Sequence, residues 1–287
     1  MTDQIYILVP VHNRKAVTRR FIESLQKQTY RNYTLVLIDD GSTDGTAEMV
    51  VEAIADCSVI KGKGDWWWGG ALQQGYLWLK GADVASTSLI LIMNDDTEFA
   101  DDFLAQGASL CKDRTKTLLL AHCYSKQSGR LIDAGVHVDW RRFTFEQAAT
   151  PDEINCLSTR GLFLRAGDLM AIGGFYPLLL PHYGSDYEFT IRARHRGMNL
   201  MTHPSLSLVL DEETTGYHSF ATDSRRESFR RLFSCRSVQN PLVWCSFVIL
   251  ACPWPWKIVN LGRIARGFTQ HVREIICRNP TSVSDAR

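Results

Sequence analysis

The chain has 287 residues, 45% of them hydrophobic and 22% charged, with a formal net charge of +1. That length buries a full core, as one large domain or one domain plus an extension, and the balanced charge excludes an overall basic field of the kind that gathers nucleic acid. Eight cysteines without a CxxC pair exclude a zinc knuckle and a disulfide framework, and read as reduced intracellular thiols.

IYILVPV (5–11) is nearly all apolar, as expected of a strand covered on both faces. It lacks a preceding basic region and is too short for a signal peptide, so a cytosolic protein is expected. NRKAVTRRFIESLQKQ (13–28) places Val17, Phe21, Ile22 and Leu25 at helical spacing. YTLVLIDD (33–40) predicts a second buried strand, closed by the turn-rich DGSTDGT, with Thr46 as cap of a helix over 47–55. SVIKGKG (58–64) holds a short third strand, and GGALQQGYLWLKGA (69–82) a helix. SLILIM (88–93) is another buried strand, and it runs straight into Asn94, Asp95, Asp96 and Glu98. Carboxylates that close repel unless water, a cation or a metal stands between them. Glu98, Asp101 and Asp102 suit the start of the next helix, where the dipole favours acids.

Strand and helix alternate over the first hundred residues, which predicts an open α/β sheet of Rossmann type, with ligands beyond the carboxyl ends of the strands. The polar clusters fall at those ends: Pro10, His12, Asn13 and Arg14 after the first strand, Asp39 and Asp40 after the second, Asn94 to Asp96 after the later one. Beyond residue 100 the pattern is mixed. Strands are predicted at 117–124, 131–140 and 205–210, a strand, turn, short helix and glycine turn over 158–175, and a helix over 185–197. NPLVWCSFVILACPWPW (240–256) carries no charge and is followed by Lys257, Arg263, Arg266, Arg273 and Arg278. It is short for a membrane span, which wants about 20 apolar residues. Its tryptophans and basic flank suit a segment lying in a membrane interface; the competing reading is a helix docked on the rest of the chain or on a second subunit.

VPVHNR, SLQKQTY, VLIDDGSTDGT, IMNDDTEF, IGGFY and SDYEFTIRARHRG resemble, in order and spacing, family 2 glycosyltransferases of the bacterial surface-polysaccharide, rhamnosyltransferase-like kind. The resemblance covers roughly residues 5–220. It implies an α/β fold of GT-A type, a Rossmann-like open mixed sheet flanked by helices, occupying 1–224. Residues 1–100 would form the nucleotide-sugar half and 101–224 the acceptor half, followed by a helical membrane-interface extension over 225–287. The implied activity is an inverting, metal-dependent transfer from a UDP- or dTDP-sugar to a glycan or lipid-linked acceptor, at the inner face of the cell membrane.

Residue by residue, NDDT matches the family's DxD-like position. Asp96 is then the likeliest-placed ligand of Mg²⁺ or Mn²⁺, with Asn94 in the first slot and Asp95 toward the ribose or a metal-bound water. Asp39 or Asp40 would accept the imide N–H of uracil or thymine, with Pro10, His12, Asn13 and Arg14 on the facing loop. In GKGDWWWGGALQQG, Asp65 would meet sugar hydroxyls, and one of Trp66, Trp67 and Trp68 is expected to touch ligand. Gly69 and Gly70 would let backbone approach the diphosphate at a helix N-terminus. SDYEFTIR matches the motif that supplies the general base, which assigns that role to Asp186; Ser185 stands where the family usually has Glu. His218 lies where many such enzymes place a third metal ligand, with Asp211, Glu212 and His203 competing. A sugar-1-phosphate nucleotidyltransferase should carry a glycine-rich loop after the first strand, and VPVHNRK has no glycine. An inactive scaffold retaining the same motifs is the third reading.

Overall fold

The computed structural model describes residues 3–213, 229–230, 232–235 and 237–277. The chain runs β1 (Ile5–Val11), α1 (Lys15–Gln26), β2 (Tyr33–Asp39), α2 (Thr46–Ala53), β3 (Cys57–Lys61), α3 (Trp67–Gly81), β4 (Leu89–Ile92) and β5 (Thr97–Phe99). It continues through α4 (Phe103–Cys111), β6 (Thr117–Ser125), β7 (Leu131–Asp133), β8 (Val136–Asp139), β9 (Thr144–Gln147), β10 (Leu162–Arg165), α5 (Ala166–Ile172), α6 (Ser185–His195) and β11 (Asn199–Leu210). Two further helices follow, α7 (Pro241–Ala251) and α8 (Trp256–Cys277).

Strand order in the main sheet is β3-β2-β1-β4-β10-β6-β11-β5, with β7 on β6. The first four are mutually parallel, β10 is antiparallel to both neighbours, and β11 is parallel to β6. The chain builds outward from β1 through β2 to β3, then returns to lay β4 on the other side of β1. A crevice opens at such a switch point, beyond the carboxyl ends of the strands. Side chains alternate along β1: Ile5, Ile7 and Val9 pack with Phe21, Ile22 and Leu25 of α1 and Phe103 of α4. Leu8 faces the other way, toward Leu72 and Leu79 of α3 and Phe189 of α6. Both faces are covered, which is why the strand reads as an unbroken apolar run. The sheet crosses the midpoint of the chain, since β10 lies directly beside β4.

The carboxyl-terminal apolar run docks on this body. Asn240 caps α7 by accepting from Leu242 N at 2.9 Å and Val243 N at 3.4 Å. Val243, Phe247 and Ala251 then join Val136, Val138, Leu180 and Ile191 in a third apolar cluster. Phe247 stacks on Trp140 with centroids 5.8 Å apart, and buried Asn260 of α8 donates to Trp140 O at 3.0 Å. The outer faces keep Leu242, Ile249, Trp254 and Ile258 exposed. Among the described residues no helix is long and apolar enough to cross a membrane.

Three local expectations need correction. Glu98 lies in β5, paired with Val209 of β11 and bridged to Lys126, and not at a helix start. Thr46 does not cap α2; Asp44 Oδ1, two residues earlier, accepts from Thr46 N at 3.0 Å at the start of the helix. The stretch 131–140 breaks into β7 and β8 at Gly135, whose φ of +99° turns the chain.

Candidate active site

The acidic turn after β4 folds against α1 at the switch point. Asp95 and Asp96 are buried, and one guanidinium spans them: Arg14 donates from Nε to Asp95 Oδ2 at 3.1 Å and from Nη2 to Asp96 Oδ2 at 3.2 Å. Thr18 of α1 adds a hydroxyl to Asp95 Oδ2 at 2.8 Å. Burial raises the Asp95 carboxyl to about 6 against the opposing pull of Arg14, with Asp96 adding to the rise. The Asn94 carbonyl accepts from Thr97 Oγ1 at 2.7 Å and shapes the turn.

Asp96 Oδ1 is fully buried with no hydrogen-bond partner. An orphaned carboxylate oxygen costs about 1–3 kcal/mol or more unless something meets it. Arg14 neutralises one of the two charges, so the pair keeps a net attraction for a cation. Among the described residues no cluster of three His, Cys, Asp or Glu side chains could cage a metal. The unpartnered Asp96 oxygen beside Asp95 fits a hard divalent ion of the kind held by one or two carboxylates and completed by phosphate oxygens. Asp211 lies alongside, its N–H on Asp96 O at 3.3 Å, but its carboxylate accepts from Arg20 at 2.8 Å and Gln127 at 2.7 Å. Glu212 accepts from Ser125 Oγ, and His203 lies seven residues before the end of β11 with Nδ1 on Ser205 Oγ at 2.7 Å. His218 lies outside the described residues.

The second cluster surrounds the ends of β1 and β2. Pro10 is buried in β1 opposite Ile38. His12 Nδ1 is 2.6 Å from Asp40 O, and Asn13, at φ +50°, accepts from Thr43 N at 2.8 Å. The two aspartates divide their work. Asp40 accepts three backbone N–H groups, from Gly64 at 2.8 Å, Trp66 at 2.9 Å and Trp67 at 3.2 Å. It is the anchor of the 62–67 loop. Asp39 Oδ1 accepts from Ser42 N at 2.9 Å, and its Oδ2 accepts from none of the described residues. Asp39 is thus the carboxylate with acceptor capacity left.

The tryptophan run also separates. Trp66 and Trp68 pack on the second apolar cluster. Trp67 does not; the anchor on Asp40 holds it at φ +56°, a region bulky residues rarely adopt, and its ring meets His182 edge-on at 6.2 Å. His182 belongs to the loop that leads into α6, so Trp67 meets that loop instead of the apolar cluster. Asp65 is exposed beside it. Gly69 and Gly70 each face close neighbours. A Cβ on Gly69 would come within 2.4 Å of Leu180 O, and its N–H already donates to Pro181 O at 2.8 Å. A Cβ on Gly70 would press on Trp66 at 3.2 Å. Gly69 admits the 177–181 segment, and Gly70 clears the Trp66 side chain.

Asp186 is in the first turn of α6, half-buried, its Oδ1 accepting from Tyr187 N at 2.9 Å. Burial raises its carboxyl to about 6, with the Tyr187 N–H and Arg160 pulling the other way. Phe247 of α7 packs behind this turn, 3.3 Å from where a Cβ on Gly184 would be. Glu188 and Arg192, one turn on, form a buried pair at 2.8 and 3.0 Å, and Arg192 also donates to Ile172 O and Gly174 O.

A short segment ties the two acidic sites together. Leu157 N donates to Thr190 Oγ1 of α6 at 3.0 Å, and Gly161 N donates to Ile92 O at the end of β4 at 2.9 Å. Four residue steps separate those bonds, and extended chain covers at most about 14 Å in that many. The segment therefore links the end of β4, which runs on into the turn bearing Asp96, to α6, whose first turn bears Asp186. Arg160 lies on that segment and couples electrostatically to Asp96, Asp133 and Asp186. Sequence reasoning passed over Arg160. Its signal is that it is the sole charge between Ile154 and Leu164, directly before a buried strand. Thr18 carries no such signal, since a threonine inside an amphipathic helix has nothing to mark it.

Residues 6–169 match the profile of the family described as glycosyl transferase family 2. A 50-residue stretch is 40% identical to glycosyltransferase GlyA of Streptococcus pneumoniae serotype 4 (strain ATCC BAA-334 / TIGR4), and it spans 17% of this chain but only 7% of that relative's length. The fold is similar to S. aureus TarS 1–349 in complex with UDP-GlcNAc, with a TM-score of 0.63 at 14% identity over 95% of this chain and 90% of that one. It is also similar to the mannosyltransferase PcManGT from Pyrobaculum calidifontis in complex with GDP-Man and Mn²⁺, with a TM-score of 0.58 at 15% identity over 96% of this chain and 74% of that one. The fold is accordingly of the GT-A kind, as the order of motifs implied.

Proposed function

The chain belongs to glycosyl transferase family 2, and on that premise we propose that it transfers a sugar, with inversion, from a nucleotide-diphosphate sugar to a hydroxyl of a glycan or lipid-linked acceptor in surface polysaccharide synthesis. The observation that carries the reading is the 157–161 segment, which ties the strand leading to Asp96, with its buried unpartnered oxygen, to the helix that opens with Asp186. Asp186 is the base: a carboxyl raised to about 6 by burial is ionised at neutral pH and still basic enough to take the acceptor's proton. One carboxylate suffices for inversion, because the acceptor oxygen enters opposite the departing phosphate. Asp39 accepts from the imide N–H of uracil or thymine, Trp67 packs on the sugar, and Asp95 and Arg14 border the ribose and phosphates. Mg²⁺ or Mn²⁺ held at Asp96, when bound, would supply Lewis-acid stabilisation of the diphosphate. Solved relatives with UDP-GlcNAc and with GDP-Man and Mn²⁺ support that substrate and ion class.

The test is a screen of UDP-, dTDP- and GDP-sugars, rhamnose, galactose, glucose and N-acetylhexosamine donors included, for Mn²⁺-dependent hydrolysis. At least one donor should be hydrolysed slowly, and Asp96→Ala should remove that background. No turnover of any donor by the wild type would sink the reading.

We further propose peripheral contact with the cytoplasmic membrane face through the 225–287 extension. Leu242, Ile249, Trp254 and Ile258 are exposed, and Lys257, Arg263, Arg266 and Arg273 supply positive charge along α8. Vesicles containing anionic phosphatidylglycerol should float the wild type, and an Ile249→Asp/Ile258→Asp variant should stay in solution while binding nucleotide normally. Equal flotation of both would remove the membrane assignment.

A further inference from the structure

Arg160, on the segment between the two acidic sites, is a cation that no carboxylate among the described residues has claimed. Arg160 Nε is buried and without a hydrogen-bond acceptor, and none of the described residues' carboxylates hydrogen-bonds its guanidinium. Other guanidiniums at the protein's interior are spoken for: Arg14 by Asp95 and Asp96, Arg165 by Asp3 and the carbonyls of Thr87 and Cys111, Arg192 by Glu188 and two carbonyls. A buried donor without a partner is costly, and native proteins keep few of them.

The nearby acids do not complete it. Asp133 accepts from Gly135 N at 3.0 Å through Oδ1 and from Ser158 Oγ at 2.6 Å through Oδ2, so it braces the 157–161 segment. Asp96 Oδ2 is held by Arg14, and its Oδ1 makes no hydrogen bond to Arg160. Burial disfavours the Arg160 charge, and the Cys123 thiol that hydrogen-bonds it, Asp96 and Asp133 outweigh that effect, so it remains a cation beside acids that do not hydrogen-bond it. Its backbone is fixed. Gly161, at φ +81°, is clamped between Ile92 O and Ala121 N, and a Cβ there would meet Leu208 at 2.6 Å. A guanidinium carried on fixed backbone, lacking an oxygen partner and coupled to Asp96, is a receptor for an anion that arrives with the substrate.

We propose that Arg160 binds the β-phosphate of the nucleoside diphosphate and takes up the charge that develops on it as the sugar departs. The assignment rests on the donor reading above. In that step the bond between the anomeric carbon and the β-phosphate oxygen breaks and its electron pair stays on that oxygen. The acceptor oxygen forms the new bond to the anomeric carbon, and its proton passes to the Asp186 carboxylate. The diphosphate leaves with one more negative charge than it had as an ester, and Arg160 is placed to meet it.

The test is calorimetric titration of the full chain with UDP and with UMP, each in Mn²⁺ and in EDTA, for the wild type, Arg160→Met and Arg160→Lys, with thermal melts to confirm folding. Arg160→Met should weaken UDP at least tenfold in either medium and UMP less than twofold, because only UDP carries the β-phosphate. Arg160→Lys keeps the charge without the planar fork and should fall between the two, which preserves the test if the methionine variant does not fold. Three results would overturn the assignment: UDP binding unchanged by both substitutions, UDP and UMP weakened alike, or a loss confined to the acceptor KM. A wild type that binds none of UDP, dTDP and GDP would instead take down the donor reading, and this assignment with it.

Discussion

Asp186→Asn is expected to slow transfer by about 10²–10⁴-fold, the usual range for losing a positioned general base, while leaving donor binding intact. The same substitution should make the protein more stable at neutral pH. Burial raises the Asp186 carboxyl from its ordinary 3.8 to about 6, so the folded chain holds this proton more tightly than the unfolded chain does. Its contribution to stability is therefore full below about pH 4 and is lost as the pH rises through about 6. Above that the ionised group costs about 1–3 kcal/mol, the lower end allowing for its partial exposure. Asparagine keeps the shape without the charge and escapes that cost. In the wild type, kcat should fall about tenfold per pH unit below 6, and the residual activity of Asp186→Asn should lack that acidic limb. Undiminished transfer, a melting temperature that does not rise at neutral pH, or an unaltered pH profile in the variant would contradict the assignment.

Replacing Arg192 with leucine should destabilise the fold by about 3–5 kcal/mol, measured by urea unfolding. Glu188 is buried, and both its oxygens are held by this guanidinium at 2.8 and 3.0 Å. The same side chain satisfies the carbonyls of Ile172 and Gly174 and lies 4.7 Å over the Tyr176 ring. Removing it strands a buried carboxylate and two carbonyls at once. The double substitution Glu188→Gln/Arg192→Leu should recover part of the loss, because the stranded charge goes with it. A single-variant loss under 1 kcal/mol would mean that α6 is held against α5 by its apolar face alone.

Much of this architecture is legible in the sequence for a simple reason. Strands buried on both faces have no polar residues to spare, so IYILVPV, YTLVLID and LILI stand out, and the polar clusters that follow each mark the edge of the crevice. What escaped notice depends on contacts between distant segments. β5 is three residues long and exists because β11 pairs with it, so TEF by itself reads as the continuation of an acidic turn. Gly69 is a glycine for a reason written far along the chain, in the path of Leu180 and Pro181. Asp39 and Asp40 are indistinguishable as neighbours until the 62–67 loop is seen to use one of them as its anchor. The apolar run at 240–256 shows its hydrophobicity but not the aromatic partners, Trp140 and Phe145, that bury one side of it.

The whole account depends on a nucleotide diphosphate being drawn to Asp96 by a shared divalent ion, within reach of Asp186. The direct measurement is the affinity for UDP, dTDP and GDP with Mn²⁺ or with EDTA, by calorimetry on the wild type, Asp96→Asn and Asp186→Asn. At least one nucleotide should bind in Mn²⁺ and weaken tenfold or more both in EDTA and in Asp96→Asn, while Asp186→Asn binds it as the wild type does. Binding that ignores Mn²⁺, or that survives unchanged in Asp96→Asn, would contradict the account at its centre.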